Sequence, residues 1–296
     1  MSRAVGAPAA DFLDFSQNIN PLGAPAVAVE AARAAGFAGY PDLGYPELRS
    51  ALGEYLGVSR DCVLPTNGGA EALFLAARVA AENRVGVRAV ILEPTFSEYA
   101  AAARAAGFEV ERRVTRRAEA GFTLEPSFLG DIEDVGLVFL CNPNNPTGGA
   151  MRRQEVLEIS HRLGEAGAVL VVDEAFVDFV PEASVASSVG RSGFENLLVA
   201  RSFTKFFGIP GLRLGALISS DTELPRSFQP SWSVNSVAAA AGISAAGDYA
   251  FAETSIAEVA RLRGDLYARL DALPGIQPYP GAANFLLVHG PAELSN

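Results

Sequence analysis

Short apolar runs recur through the middle of the chain: residues 88–92 (RAVIL), 137–140 (LVFL), 168–172 (AVLVV), 197–200 (LLVA) and 216–219 (ALIS). Runs this short, with no polar residue on alternate positions, predict strands buried on both faces. Between them, apolar residues return at helical spacing over residues 70–81, 97–106 and 154–166. Strands alternating with helices predict an α/β fold with a mainly parallel sheet covered on both sides. Residues 40–220 therefore read as one large α/β domain.

The flanks follow another pattern. Residues 1–39 hold the loop SQNINPLGAP and one short helix. Residues 221–296 begin with a Pro/Ser/Trp stretch (LPRSFQPSWSVN), continue as a long helical region rich in Ala and Arg, and end on a predicted strand, NFLLV at 284–288. A lone strand needs partners. The two flanks together predict a smaller α+β domain, short at its C-terminal side.

Composition narrows the function. With 49% hydrophobic and 19% charged residues over 296 positions, the chain is globular. A net charge of −11 argues against a nucleic-acid surface. Two distant cysteines, Cys62 and Cys141, indicate neither a disulfide framework nor a zinc site, and two histidines leave no metal centre to expect. The N-terminal stretch lacks a leader-like apolar core and no uncharged run reaches membrane length, so a cytoplasmic protein with no membrane partner is expected. One count changes the picture more than these. Of 23 basic residues only one is lysine, Lys205. Arginine replaces lysine as a charge, but not as an amine that deprotonates and attacks a carbonyl.

Ligands of parallel sheets bind beyond the strands' carboxyl ends, and here those ends carry chemistry. RAVIL leads to Glu93-Pro94-Thr95-Phe96, and LVFL to the asparagine-rich CNPNNPTG. AVLVV leads to Asp173-Glu174-Ala175-Phe176, and LLVA to Arg201-Ser202-Phe203-Thr204-Lys205. TNGGAE at 66–71 opens a helix on glycines, where backbone N–H groups attract phosphate. An aldehyde cofactor that bears a phosphate and acts as an electron sink uses this whole set. Lys205 is the amine for its aldehyde and the proton carrier. Asp173 is the acid beside its ring nitrogen, Asn145 a donor to its ring hydroxyl and Phe96 a plate for its ring. Gly69, Ala70, Ser202 and Arg213 are the phosphate ligands.

NPNNPTG, DEAF, SFTKFFGIPGLRLG and TNGGAEAL, in this order and spacing, resemble the pyridoxal-phosphate enzymes of the aspartate-aminotransferase fold (fold type I, aminotransferase classes I and II) over roughly Asp14 to Val288. The resemblance implies that Lys205 bonds the cofactor, that Asp173 pairs its pyridine nitrogen and that Asn145 donates to its O3′. It also implies a homodimer in which Tyr40 reaches the neighbouring subunit's cofactor phosphate. The Asn145–Pro146 bond is expected to be cis, because tight functional loops are where cis-proline occurs.

Two branches of the family fit. DFSQNINPLG and QPSWSVNSVAAAAG look like the threonine-phosphate decarboxylases of cobalamin biosynthesis, which implies that Asn20 contacts a phosphorylated amino acid. Histidinol-phosphate aminotransferases share the core motifs. Phe176 stands where the aminotransferases typically carry a tyrosine, which favours the decarboxylase branch. Family members also continue beyond NFLLV to an arginine that grips the substrate carboxylate, whereas no arginine follows Arg269 here. A third reading is thus a truncated, impaired paralogue that only binds the cofactor or a partner subunit.

Overall fold

The computed structural model describes residues 15, 17–82, 85–115, 117–118, 121–122 and 129–291. Asp14 and Ser16 of DFSQNINPLG, the N-terminal stretch before them and residues 292–296 lie outside the described residues.

In chain order the helices are α1 (Ala26–Ala34), α2 (Pro46–Leu56), α3 (Gly68–Glu82), α4 (Glu98–Ala105), α5 (Arg153–Glu165), the single turn α6 (Phe203–Phe206), α7 (Glu223–Ser227), α8 (Ser236–Ala246) and the long α9 (Tyr249–Asp271). The strands are β1 (Val63–Asn67), β2 (Arg88–Glu93), β3 (Glu109–Val114), β4 (Arg117–Ala118), β5 (Gly121–Phe122), β6 (Val135–Cys141), β7 (Val169–Asp173), β8 (Leu197–Ser202), β9 (Leu214–Ile218), β10 (Gln277–Pro278) and β11 (Val288–His289). Seven of them form one sheet in the order β1-β9-β8-β7-β6-β2-β3. Strand β9 runs antiparallel to both of its neighbours, and the remaining pairs are parallel. The carboxyl ends of β1, β2, β6, β7 and β8 consequently open on a single edge.

The continuous apolar runs have the expected cause. Alternate residues of each strand belong to different cores. Leu170 and Val172 of β7, with Leu197 and Val199 of β8, join one core. Val169, Val171, Leu198 and Ala200 join the other, packed under α3 and α4. Because side chains alternate along a strand, Asp173 and Ser202 continue onto the α3/α4 side, while Arg201 falls on the opposite side.

β1, β4, β5 and β10 are not announced by any of the apolar runs, and the structure departs from expectation at three further strands. β3 carries the polar sequence EVERRV and lies at the sheet edge, half-exposed, so no apolar run announces it. β9 begins two residues before the expected run. Only Val288 of NFLLV is strand, paired with Pro278. The residues just ahead of it are drawn elsewhere: Ala282 N–H donates to the Gly148 carbonyl at 2.8 Å, and Phe285 packs edge-on against Phe176 with ring centroids 5.0 Å apart.

Candidate active site

A cavity of about 200 Å³ opens at the strand ends, lined from α3 by Gly69 and Ala70, from the β2 end by Phe96, and from the β6 loop by Asn145. Asp173 and Phe176 line it from β7, Ser202 and Lys205 from β8 and α6, and Arg213 from the turn before β9. Eight expected side chains or backbone positions, scattered over 145 residues of chain, meet here because successive strands end on one edge.

The anion cradle is built by close approach. Gly68 has φ +77°, and a Cβ there would stand 2.7 Å from an Arg213 guanidinium nitrogen; one on Gly69 would stand 3.0 Å from the Ser202 Cβ. Glycine lets the start of α3 come against Arg213 and Ser202, and a helix start of this kind favours an anion. Arg213 itself has φ +60°, an unusual conformation for a non-glycine residue and one that concentrates at functional sites.

Within NPNNPTG the structure separates three asparagines by role. Asn142 exchanges hydrogen bonds with the backbone of Met151 at 2.8 and 3.2 Å. Asn144 donates to the Pro94 carbonyl and to Thr147, and accepts from the Thr95 hydroxyl at 2.8 Å. Those two amides hold the loop, and Asn145 faces the cavity. The Asn145–Pro146 bond is cis, as are Glu93–Pro94 and Asn142–Pro143.

Asp173 is buried and accepts two hydrogen bonds, from the Tyr99 hydroxyl at 2.7 Å and the Ala175 N–H at 3.0 Å. Burial pushes its carboxyl up to about 6 against the pull of both donors. A basic nitrogen brought beside such a group would draw it back toward its anion. Burial also lowers the Lys205 ammonium below its ordinary range, and the Arg213 charge adds to this, while Asp173 opposes both. The direction favours the neutral, nucleophilic amine.

Two expected residues lie elsewhere. Asn20 is buried away from the cavity; its amide donates to the Phe206 carbonyl at 2.8 Å and to the Ser255 hydroxyl at 2.9 Å, and its oxygen accepts from Leu22 N–H. With its backbone N–H on the Lys205 carbonyl at 2.9 Å, Asn20 fixes the turn that carries the lysine. Asn18, two residues earlier, lines the cavity in its place. Tyr40 stands on the outside, 81% exposed and stacked on Trp232.

Tyr99 is the cavity residue that sequence reasoning missed most consequentially. It is fully buried, stacked on Phe139 at 5.1 Å and set edge-on to Phe96 at 5.8 Å. Its signal was available: it lies three residues after Phe96, in the first turn of the helix that follows the β2 end.

An open, mainly parallel sheet bearing an amine, a buried acid and a glycine-built anion cradle at one edge defines a scaffold for a phosphorylated carbonyl cofactor. The family profile described as aminotransferase class I and II matches residues 10–296, and the chain belongs to that family. It is 37% identical to a threonine-phosphate decarboxylase of Salmonella typhimurium, covering 93% of this chain and 76% of the relative. It is 35% identical to a histidinol-phosphate aminotransferase of Desulfitobacterium hafniense, covering 94% and 77%. Among solved structures, the histidinol-phosphate aminotransferase from Clostridium acetobutylicum aligns with a TM-score of 0.83 at 26% identity, over 94% of this chain and 82% of that one.

Proposed function

We propose that the protein is a pyridoxal-phosphate enzyme acting on a phosphorylated amino acid, of the threonine-phosphate decarboxylase type and hence of cobalamin biosynthesis. The observation that carries the cofactor is the convergence of Lys205, Asp173 and the Gly69–Ala70 cradle on one cavity. In this reading Gly69, Ala70, Ser202 and Arg213 hold the cofactor's phosphate, Asp173 its ring nitrogen, Asn145 its ring hydroxyl and Phe96 its ring face. When bound, pyridoxal phosphate supplies the electron sink for the bond broken at the substrate's Cα.

The remaining work falls to the chain. The Lys205 amine would be the group that holds the cofactor's aldehyde in the resting enzyme. Its position beside Asp173 and Arg213 then lets Nζ carry the proton that takes the place of the departing carboxylate. Asn18, on the cavity wall, is the candidate contact for the substrate. Phe176 brings no hydroxyl to the cavity; its ring is buried against Phe285. That supports the decarboxylase branch. The same reading makes the enzyme a cytoplasmic homodimer, with Tyr40 reaching the partner's phosphate; no described helix is long and apolar enough to cross a membrane.

The histidinol-phosphate aminotransferase reading is favoured by the 35% identical relative and by the fold match. Incubating the purified protein with O-phosphothreonine separates the two. Release of CO₂ without any added keto acid is expected. Amino transfer to 2-oxoglutarate, with no CO₂, contradicts the decarboxylase reading and supports the second.

A further inference from the structure

The Tyr40–Trp232 pair sits outside the cavity wall. The two rings stack with centroids 4.5 Å apart and planes inclined by 30°. Both are open to solvent, and the apolar side chains of Phe37 and Leu43 are exposed on the same stretch of chain as Tyr40. Trp232 has φ +57°, in the left-handed region that a bulky residue avoids unless its surroundings enforce it.

The surroundings do enforce it. The Ser233 hydroxyl donates to Glu71 Oε1 at 2.8 Å, and the Gln229 amide to Glu71 Oε2 at 3.2 Å and to the Pro65 carbonyl at 2.9 Å. On the other flank the Tyr45 hydroxyl bridges Val234, donating to its carbonyl at 2.9 Å and accepting from its N–H at 3.2 Å. The Glu71 carboxylate also accepts the Asn67 N–H at 2.7 Å. The residue that anchors the tryptophan loop therefore belongs to the first turn of α3, next to Gly69 and Ala70.

A strained aromatic residue held from both sides and still open to solvent is arranged for something outside the chain. We propose that Trp232 is a positioning residue for Tyr40, holding its ring for the phosphate bound in the partner subunit, and that Glu71 anchors the loop that presents it. This rests on the homodimer reading above, and the occupant of the surface is a second copy of this chain. An exposed tyrosine samples several rotamers; stacking on a fixed tryptophan limits them and lowers the ordering cost of the contact across the interface. Each subunit would thus build its outward arm on the same helical turn that receives its own phosphate.

Hybrid dimers test this. Trp232→Ala is expected to weaken pyridoxal-phosphate binding about three- to tenfold, the scale of one aromatic pair, and to leave binding of pyridoxal, which has no phosphate, unchanged. Subunits bearing Trp232→Ala are then paired, through two affinity tags, with subunits bearing Lys205→Ala. The latter give no red-shifted imine band, because the chain has no other lysine. The band of the hybrid then reports only the site of the Trp232→Ala subunit, which receives an intact arm from its partner, and wild-type affinity is expected to return. Ser233→Ala, which loosens the loop without altering α3, is expected to give a smaller loss that is restored in the same way. A hybrid that keeps the weakened affinity, or equal losses for pyridoxal and pyridoxal phosphate, overturns the proposal. Full affinity in Trp232→Ala overturns it too, and an unchanged Ser233→Ala overturns the anchoring role. A wild-type protein that shows no band or sediments as a monomer overturns the underlying reading instead.

Discussion

Two polar clusters hang from the same pair of strand ends and face opposite sides of the sheet. Asp173 and Ser202 turn toward α3 and the cavity. Glu174 and Arg201, each one residue away, turn to the other side, where they meet Asp178. In that second cluster Arg201 pairs with Glu174 at 2.9 Å and with Asp178, all three side chains being nearly inaccessible. Tyr55 donates to Asp178 at 2.8 Å, and Ser184 and the Val185 N–H donate to Glu174 at 2.7 and 2.6 Å. Burial opposes the Arg201 charge, but Asp178 and Glu174 outweigh it and hold the guanidinium protonated. Asp173 has no ion pair among the described residues, the Arg201 charge acts on it only weakly, and burial prevails there. A buried charge answered by its neighbours fastens the fold; one left short by them is open to a ligand.

The contrast breaks most visibly at Arg201. Arg201→Ala leaves two buried carboxylates facing each other and is expected to cost about 3–5 kcal/mol of stability, on the order of 10 °C in thermal midpoint. A loss under about 1 kcal/mol in urea unfolding would erase the distinction between the clusters.

Asp173→Asn is expected to do the opposite to the cofactor-free protein while lowering kcat/KM by roughly 10²–10³. The carboxyl's position near 6 in the fold, against an ordinary 3.8, means that the folded chain binds this proton more tightly than the unfolded chain. Its ionisation therefore disfavours the fold above about pH 6, and that penalty fades as pH falls toward 4. The variant is expected to melt higher than wild type at pH 7.5, with the gap closing by pH 4. A midpoint below that of wild type at pH 7.5 would contradict this.

Tyr99→Phe keeps the stack on Phe139 and removes the donor to Asp173, together with the hydroxyl's contact with Cys141. The expected loss is about 1 kcal/mol in pyridoxal-phosphate affinity, read from a binding titration. An unchanged affinity would assign Tyr99 to packing alone.

Much of the fold was legible because the strand runs are apolar on both faces, which only a doubly covered sheet explains. β3 was not, since an edge strand such as EVERRV carries no apolar run, and NFLLV misled because Phe285 is drawn to Phe176 rather than into a ladder. Within the cavity, Lys205 and Asp173 were legible from their places after strands. Asn20 and Asn18 could not be separated, because residues two apart in a loop follow no fixed alternation and only the contacts with Phe206 and Ser255 assign the first to structure. Glu174 and Arg201 read as part of the same polar strand ends. Their separation from the cavity needed the register of β7 against β8.

The central claim is that Lys205 is the amine for a carbonyl cofactor, and titration with pyridoxal phosphate tests it most directly. Wild type is expected to develop a visible absorbance band that saturates at one site per chain, and Lys205→Arg to develop none while melting as wild type does without cofactor. No band in wild type, or a band that survives in Lys205→Arg, would contradict the account.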